Sequence, residues 1–300
     1  RRDTGLIFLL LLLVLAAAAG LRFYNLAGQS LWSDEGNSVA LAARPFAQIA
    51  RDAANDIHPP LYYFLLRIWT RIFGMTEIAL RSLSALLGVL LVLATAELGR
   101  RIFSRVTGLT AGILAAAAPF QVYYSQEVRM YILLALEAAL ALLLFWWWVS
   151  QEDRRLPKDA SVAAGRRLRW LPFSGQMLIL VWVAGLYTHY AFPLVIALAS
   201  GLYALWLIVS RRRGLVGQRV LRWALLLGVT AGLYAPWLPE AVRQLTTWPG
   251  VEVTASLGEQ LAGLFGTLAF GPLELHGENG ASLWLIMTLA VIGTYPWPLV

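Results

Sequence analysis

Two adjacent carboxylates, Asp34 and Glu35, stand in "SLWSDEGNSVA", shortly beyond a long apolar run. Paired acids can supply a general base that takes a proton from a hydroxyl, or hard oxygen ligands for a divalent cation. The plainer reading is helix capping, because acids in a first turn favour the positive end of the helix dipole. One acid would serve that purpose, and here there are two. Further on, "NDIHPPLYY" sets His58 before Pro59-Pro60, which fix the backbone and prevent a helix upstream, with Tyr62 close behind. The imidazole can hold a metal together with Glu35, hydrogen-bond a phosphate, or simply sit at a surface turn. A third stretch, "FQVYYSQEVRMY", gathers Tyr124, Gln126, Glu127 and Arg129 between two apolar runs. Arg129 can grip a phosphate with paired hydrogen bonds, or it can snorkel to headgroups or pair with Glu127. Glu137 lies deeper in the next apolar run, where an acid costs about 2.5–3.5 kcal/mol and needs a polar cavity or partner. His189 sits in "YTHY", where a structural role competes with ligand binding.

The elements that position these groups follow from composition. Hydrophobic residues make up 59% of the 300 and charged ones 14%, more apolar than a soluble domain of this length needs. Several of the 13 Trp and 11 Tyr, among them Trp32, Tyr123, Tyr187 and Trp237, stand at the edges of apolar runs, as in membrane-interface belts. The absence of cysteine excludes disulfides and thiolate chemistry. The net charge of +7 comes mostly from Arg clusters between apolar runs, so it reports membrane topology rather than nucleic-acid binding. An all-α polytopic membrane protein is expected, in one transmembrane domain over residues 1–300. Its spans are expected at 6–23, 79–98, 106–122, 129–149, 174–188, 190–209, 223–239 and 283–300. The chain opens without Met and ends in the apolar "WPLV", so it is expected to be a fragment lacking further C-terminal spans.

The basic clusters at 100–105, 154–169 and 211–222, with Arg1-Arg2, mark the cytoplasmic side by the positive-inside rule. Asp34 and Glu35 then lie outside, in a multi-pass protein of the cell membrane. Parity decides a harder segment, "LYYFLLRIWTRIFG" at 61–74. One crossing between an outer Asp34 and an inner Arg100 is already supplied by 79–98. Residues 61–74 are therefore expected to lie in the interface, with Arg67, Thr70 and Arg71 on one face and Leu61, Leu65, Ile68 and Ile72 on the other. The first outer loop, 24–77, is expected to hold two or three juxtamembrane helices, the first capped by Ser33 and the second restarted at Pro45. A competing reading makes residues 5–20 a signal peptide, without changing the later orientations.

On this topology the acids, the histidines, the tyrosines and Arg129 share one side of the membrane at the depth of a lipid phosphate. Such a constellation suits a polyprenyl-phosphate-linked sugar. Arg129 or a cation would stabilise the departing phosphate while a carboxylate activates an acceptor hydroxyl, giving transfer with inversion. A transporter or lipid flippase would also need ionisable groups in spans. Against it, the unusual polar residues crowd one side rather than the midplane, and no internal repeat is visible.

"WSDEGNSVALAAR", "DIHPPLYYFLLRIW", "GMTEIALRSLSALLGVLLV", "APFQVYYSQEVRMYILL" and "GLYTHYAFPLVIAL", in this order, resemble glycosyltransferase family 39. This is the protein O-mannosyltransferase-like group of the GT-C superfamily, with the lipid A aminoarabinose transferase a more distant relative. The resemblance covers about residues 6–240. It implies a GT-C-like helical bundle and an enzyme of protein glycosylation. By position it implies that Asp34 is the catalytic carboxylate, with Glu35 its usual neighbour, and that His58 serves metal or lipid-phosphate binding. It further implies that Gln126, Glu127 and Arg129 belong to the active site. Superfamily members often carry an aspartate in that second loop, and residues 121–131 hold none. The sugar and the acceptor, whether protein, lipid or glycan, are left open.

Overall fold

A computed structural model describes residues 2–155, 172–210 and 216–247, with isolated positions at 256, 258, 259 and 263. Among the described residues the chain is helical and contains no strand, a polytopic membrane bundle of the GT-C-like kind. Helix α1 covers Arg2–Phe23. Three short helices follow before the next long one: α2 Ser33–Ala42, α3 Phe46–Ala54 and α4 Leu61–Phe73. Then come α5 Glu77–Ile102, α6 Arg105–Ala117, α7 Pro119–Ser125 and α8 Tyr131–Arg155. After the undescribed segment, α9 Phe173–Thr188, α10 Pro193–Val209 and α11 Val216–Tyr234 lead through a 3₁₀ turn, Ala235–Trp237, into α12 Leu238–Thr247.

Four of these stretches are long and apolar enough to cross a membrane: Gly5–Phe23, Glu77–Ile102, Tyr131–Glu152 and Val216–Thr247. The expected span at 106–122 is instead a broken one, with α6 and α7 meeting at a 60° bend. Pro119 is the cause. Its ring disfavours helical dihedrals at the preceding residue, and Ala118 turns extended at φ −62°, ψ 114°. The expected span at 223–239 begins earlier, at Val216, and is interrupted at its far end by the 3₁₀ turn around Pro236. The spans expected at 174–188 and 190–209 are the apolar helices Phe173–Thr188 and Pro193–Val209, of 16 and 17 residues, shorter than those four. The expected span at 283–300 and most of the linker 150–172 lie outside the described residues.

The first loop holds three juxtamembrane helices, and one local expectation changes. Trp32, not Ser33, is the cap of α2. Its backbone N–H donates to the Glu35 carboxylate at 3.3 Å, the return half of a capping box. Helix α4 buries Tyr62, Tyr63 and Leu66 against the protein, while Ile68 and Ile72 of its apolar stripe stay exposed, available to lipid. Arg67 donates to the Ala42 and Ala43 carbonyls, closing the end of α2, and Gly74 ends α4 at φ +87°, where L side chains are strained.

Two apolar clusters organise the bundle. One joins α2, α3, α4 and α5 to Val128, Met130, Leu133, Trp237 and Ala241. The other packs Trp148, Trp182, Tyr203 and Trp223 between α8, α9, α10 and α11. Helices α5 and α6 touch through glycines. A Cβ built at Gly108 would lie 2.6 Å from the Ala96 carbonyl oxygen, a contact only a hydrogen can make. Arg22, fully buried at the end of α1, donates to the Ala115 and Ala116 carbonyls at 3.0 Å each. Those are terminal carbonyls that the helix itself leaves without partners, so Arg22 seals α6 where it stops.

Candidate active site

The turn between α7 and α8 runs back across the start of α2, and one carboxylate fastens the two together. Glu35 accepts from Arg81 Nε at 2.9 Å and Arg81 Nη2 at 2.6 Å, and from the Val128 N–H at 2.9 Å. Its side chain is 1% exposed and that of Arg81 7%. Arg81 spends its remaining donors on the carbonyls of Leu26, Gln29 and Ser30. All the lone pairs that could bind a proton or a metal are thus engaged, which corrects the expectation that Glu35 takes part in chemistry. Its sequence neighbour faces elsewhere. Asp34 is 40% exposed, and its Oδ2 lies 3.4 Å from Arg129 Nη2. A single residue step along α2 therefore separates a structural acid from an accessible one, because successive helical residues point about 100° apart.

The fastening at Val128 sorts its neighbours to opposite sides. Arg129, 6% exposed, reaches Asp34, stands 3.2 Å from His58 Nε2 and donates to the Tyr131 hydroxyl at 3.4 Å. Its guanidinium also lies over the Tyr131 ring. His58 stacks obliquely on His189 with ring centres 5.4 Å apart. Burial, then the charge of Arg129, then His189 push the His58 pKa down to about 3, so the ring is neutral and its Nε2 accepts from Arg129. Burial and Arg129 lower His189 as well. His189 Nδ1 accepts from the Ala191 N–H at 3.0 Å, which leaves Nε2 of the neutral ring as an N–H donor. Tyr124 meets Tyr131 edge to face, 5.0 Å between centres. The result is one guanidinium, two neutral imidazoles, a phenol and an accessible carboxylate, a set of donors for an anion beside a base.

Of the residues singled out from sequence, Asp34, His58, Arg129 and His189 come together, with Tyr124 at the margin. The others do not. Tyr62 is buried in the first apolar cluster, its hydroxyl 3.2 Å from Ser84, so it is not a substrate contact. Gln126 donates to the carbonyls of Leu21, Arg22 and Tyr24, tying the end of α1 to the turn. Glu127 is nearly buried on the far side of Val128, hydrogen-bonded to Tyr123, and burial raises its pKa. Glu137 accepts from Thr188 Oγ1 at 3.0 Å below the cluster, and its second oxygen is buried without a partner. Sequence reasoning left Arg81 and Tyr131 out of the candidate site. The signal for Arg81 was available: an arginine one turn inside an apolar helix needs a buried acid.

The ligands expected for a divalent cation, Glu35 and His58, are held apart by their own partners. Glu35 is saturated by Arg81 and Val128, and His58 faces a guanidinium. Among the described residues no three His, Asp or Glu side chains gather as a metal set. The residues present do not fit a bound cation here.

Comparison with known proteins agrees with this architecture. Residues 57–239 match the family model described as dolichyl-phosphate-mannose-protein mannosyltransferase. No curated protein matches the chain. Among solved structures, the archaeal oligosaccharyltransferase AglB from Archaeoglobus fulgidus, in complex with an inhibitory peptide and a dolichol-phosphate, superposes with a TM-score of 0.54 at 14% identity. That match covers 97% of this chain and 37% of the other. The apo form of the A. fulgidus oligosaccharyltransferase gives 0.56 at 15% identity, over 97% of this chain and 34% of that one. The chain thus spans little more than a third of the solved relatives it resembles, and the likeness is one of fold.

Proposed function

The chain belongs to the dolichyl-phosphate-mannose-protein mannosyltransferase family, and from that premise we propose that it is an integral membrane glycosyltransferase. It moves a sugar, hexose or pentose, from a polyprenyl-phosphate carrier to an acceptor hydroxyl on the extracytoplasmic face. The observation that carries the proposal is the guanidinium of Arg129 set between the accessible carboxylate of Asp34 and the neutral ring of His58. An apolar groove of about 280 Å³, lined by Pro60, Leu61, Phe64, Leu180, Val183, Ala184 and Tyr187, supports it. His58 precedes the α4 wall of that groove by two residues, and His189 follows the α9 wall by two. A prenyl chain lying in the groove brings its phosphate to Arg129, with His189 Nε2–H a second donor.

In this reading Asp34 takes the proton of the acceptor hydroxyl as its oxygen attacks the anomeric carbon. The bond to the carrier's phosphate oxygen breaks on the opposite face, with inversion. The electron pair leaves with the phosphate, whose charge Arg129 balances. The A. fulgidus complex held a peptide and a dolichol-phosphate, which supports a lipid-phosphate donor and a protein as the kind of acceptor. The Arg clusters at 100–105 and 211–222, on the opposite side by charge, support the extracytoplasmic placement.

The test is transfer from labelled polyprenyl-phosphate sugars in proteoliposomes. Asp34→Asn should lower turnover by about 10²–10⁴-fold while the carrier still binds, and Arg129→Gln should weaken carrier binding. Undiminished transfer by Asp34→Asn overturns the assignment of the base. Lipid translocation without any transfer assigns the protein to the flippases instead.

A further inference from the structure

On the other side of the Glu35–Val128 hydrogen bond lies a second cleft of about 290 Å³, lined by Tyr24, Asn25, Leu26, Gln29, Trp32, Glu35, Arg81, Tyr123, Gln126 and Glu127. Nothing in the transfer chemistry uses it. We propose that this cleft is a carbohydrate-binding subsite, with Trp32 and Tyr123 as its stacking walls and Asn25, Gln29 and Glu127 as its hydroxyl-reading groups.

Its walls are held before any ligand arrives. Arg81 holds the 26–30 segment by three carbonyls, and Gln126 holds the end of α1 by three more. Asn25 sits in the left-handed region at φ 54° and accepts the Gly28 N–H at 2.9 Å, a tight turn that shapes the rim. Despite these ties, Tyr24, Trp32 and Tyr123 keep large exposed surfaces around the opening. The side-chain amides of Asn25 and Gln29 are exposed and make no hydrogen bond among the described residues. Exposed rings beside free amides and a carboxyl group match the two faces of a sugar, one of C–H bonds and one of hydroxyls.

Charge selects the ligand class. Glu35 and Arg81 neutralise each other, leaving Glu127 as the one carboxyl group in the lining without a salt bridge among the described residues. A phosphate is thereby disfavoured, and it has its own donors at Arg129, one residue beyond Val128. A neutral, hydroxyl-rich ring is favoured. The sugar can come from the donor or from a glycosylated acceptor. This physiological source rests on the transfer reading above, whereas binding itself does not.

The experiment is saturation-transfer NMR on the purified protein in micelles with methyl mannoside, methyl glucoside and methyl arabinoside. At least one should bind. Trp32→Ala and Tyr123→Ala should each weaken it by roughly five- to tenfold, and Arg129→Gln should leave it unchanged. Trp32→Ala keeps the backbone N–H that caps α2, and an unaltered melting temperature verifies the fold. Binding by none of the three, or equal binding by Trp32→Ala, overturns the subsite. In the transfer assay, a raised KM of Trp32→Ala for the donor assigns the ring to the carrier, and a raised KM for the acceptor assigns it to the acceptor. Sugar binding by a protein that transfers nothing leaves the subsite standing and removes the reaction instead.

Discussion

Asp34 and Glu35 are adjacent and chemically alike, and opposite phenotypes are expected from them. Glu35→Ala removes an acceptor of four hydrogen bonds, two from Arg81 and one each from Val128 and Trp32. Arg81 remains almost buried, its positive charge without an acid. Breaking a buried pair in this way costs about 3–5 kcal/mol, and the stranded Val128 N–H adds about 1–3 kcal/mol. For a chain of this size 1 kcal/mol corresponds to about 2–4 °C, so the pair alone predicts a fall of roughly 6–20 °C in melting temperature. Asp34→Asn removes the charge facing Arg129 from a side chain that is 40% exposed, and Arg129 keeps its contacts to His58 and Tyr131, so it should cost no more than about 1 kcal/mol while lowering transfer by about 10²–10⁴-fold. The double variant Glu35→Leu/Arg81→Met should recover part of the loss, since no charge is then unpaired. The carbonyls of Leu26, Gln29 and Ser30 would still lack their donor. Thermal unfolding in detergent at a fixed scan rate, run as a double-mutant cycle, measures the coupling. A Glu35→Ala protein that melts with the wild type yet fails to transfer sugar would falsify the division of labour.

Two further outcomes follow from the geometry. His58 titrates near 6.5 when unfolded and is held near 3 in the fold by burial and Arg129. Between those values the unfolded chain binds a proton that the native one refuses, so stability falls as pH drops below 6.5. The slope is at most about 1.4 kcal/mol per pH unit. His58→Gln should flatten the melting profile between pH 4 and 6.5, and an unchanged profile would remove the neutral imidazole from the account. Gly108→Leu should drive α5 and α6 apart, because the new side chain meets the Ala96 carbonyl and the Arg100 backbone nitrogen, neither of which can swing away. A destabilisation of about 1–3 kcal/mol is expected by the same melting assay, whereas full tolerance would show that the helices are not seated as described.

Much of the fold was legible because apolar runs and proline positions are local signals. The runs at 6–23 and 79–98 lie within α1 and α5, and the short amphipathic 61–74 is α4. Pro119 was in plain view, yet the apolar character of 106–122 continues past it, and hydropathy alone cannot register a bend. The site was legible in residue type more than in role. Asp34, His58, Arg129 and His189 converge from segments far apart in sequence, as their chemistry suggested. Glu35 could not be separated from Asp34 by composition. Its distinction comes from Arg81, 46 positions away, and from a single backbone N–H at Val128. Tyr62 misled for a related reason: a tyrosine beside a proline pair reads as an interface residue unless its buried partner, Ser84, is known.

The stump of α6 has a consequence for the lipid around it. Its 13 residues extend about 20 Å, against a hydrocarbon layer of about 30 Å. Beyond Ala118 the chain bends by 60° instead of continuing straight on. In a bilayer, acyl chains bordering such a flank would have to shorten or splay, and the headgroup layer would dip toward the 126–131 turn. If the proposed lipid-linked donor enters from that flank, it would meet a surface already sunk to its level, and bilayers of thicker lipid would lift it away.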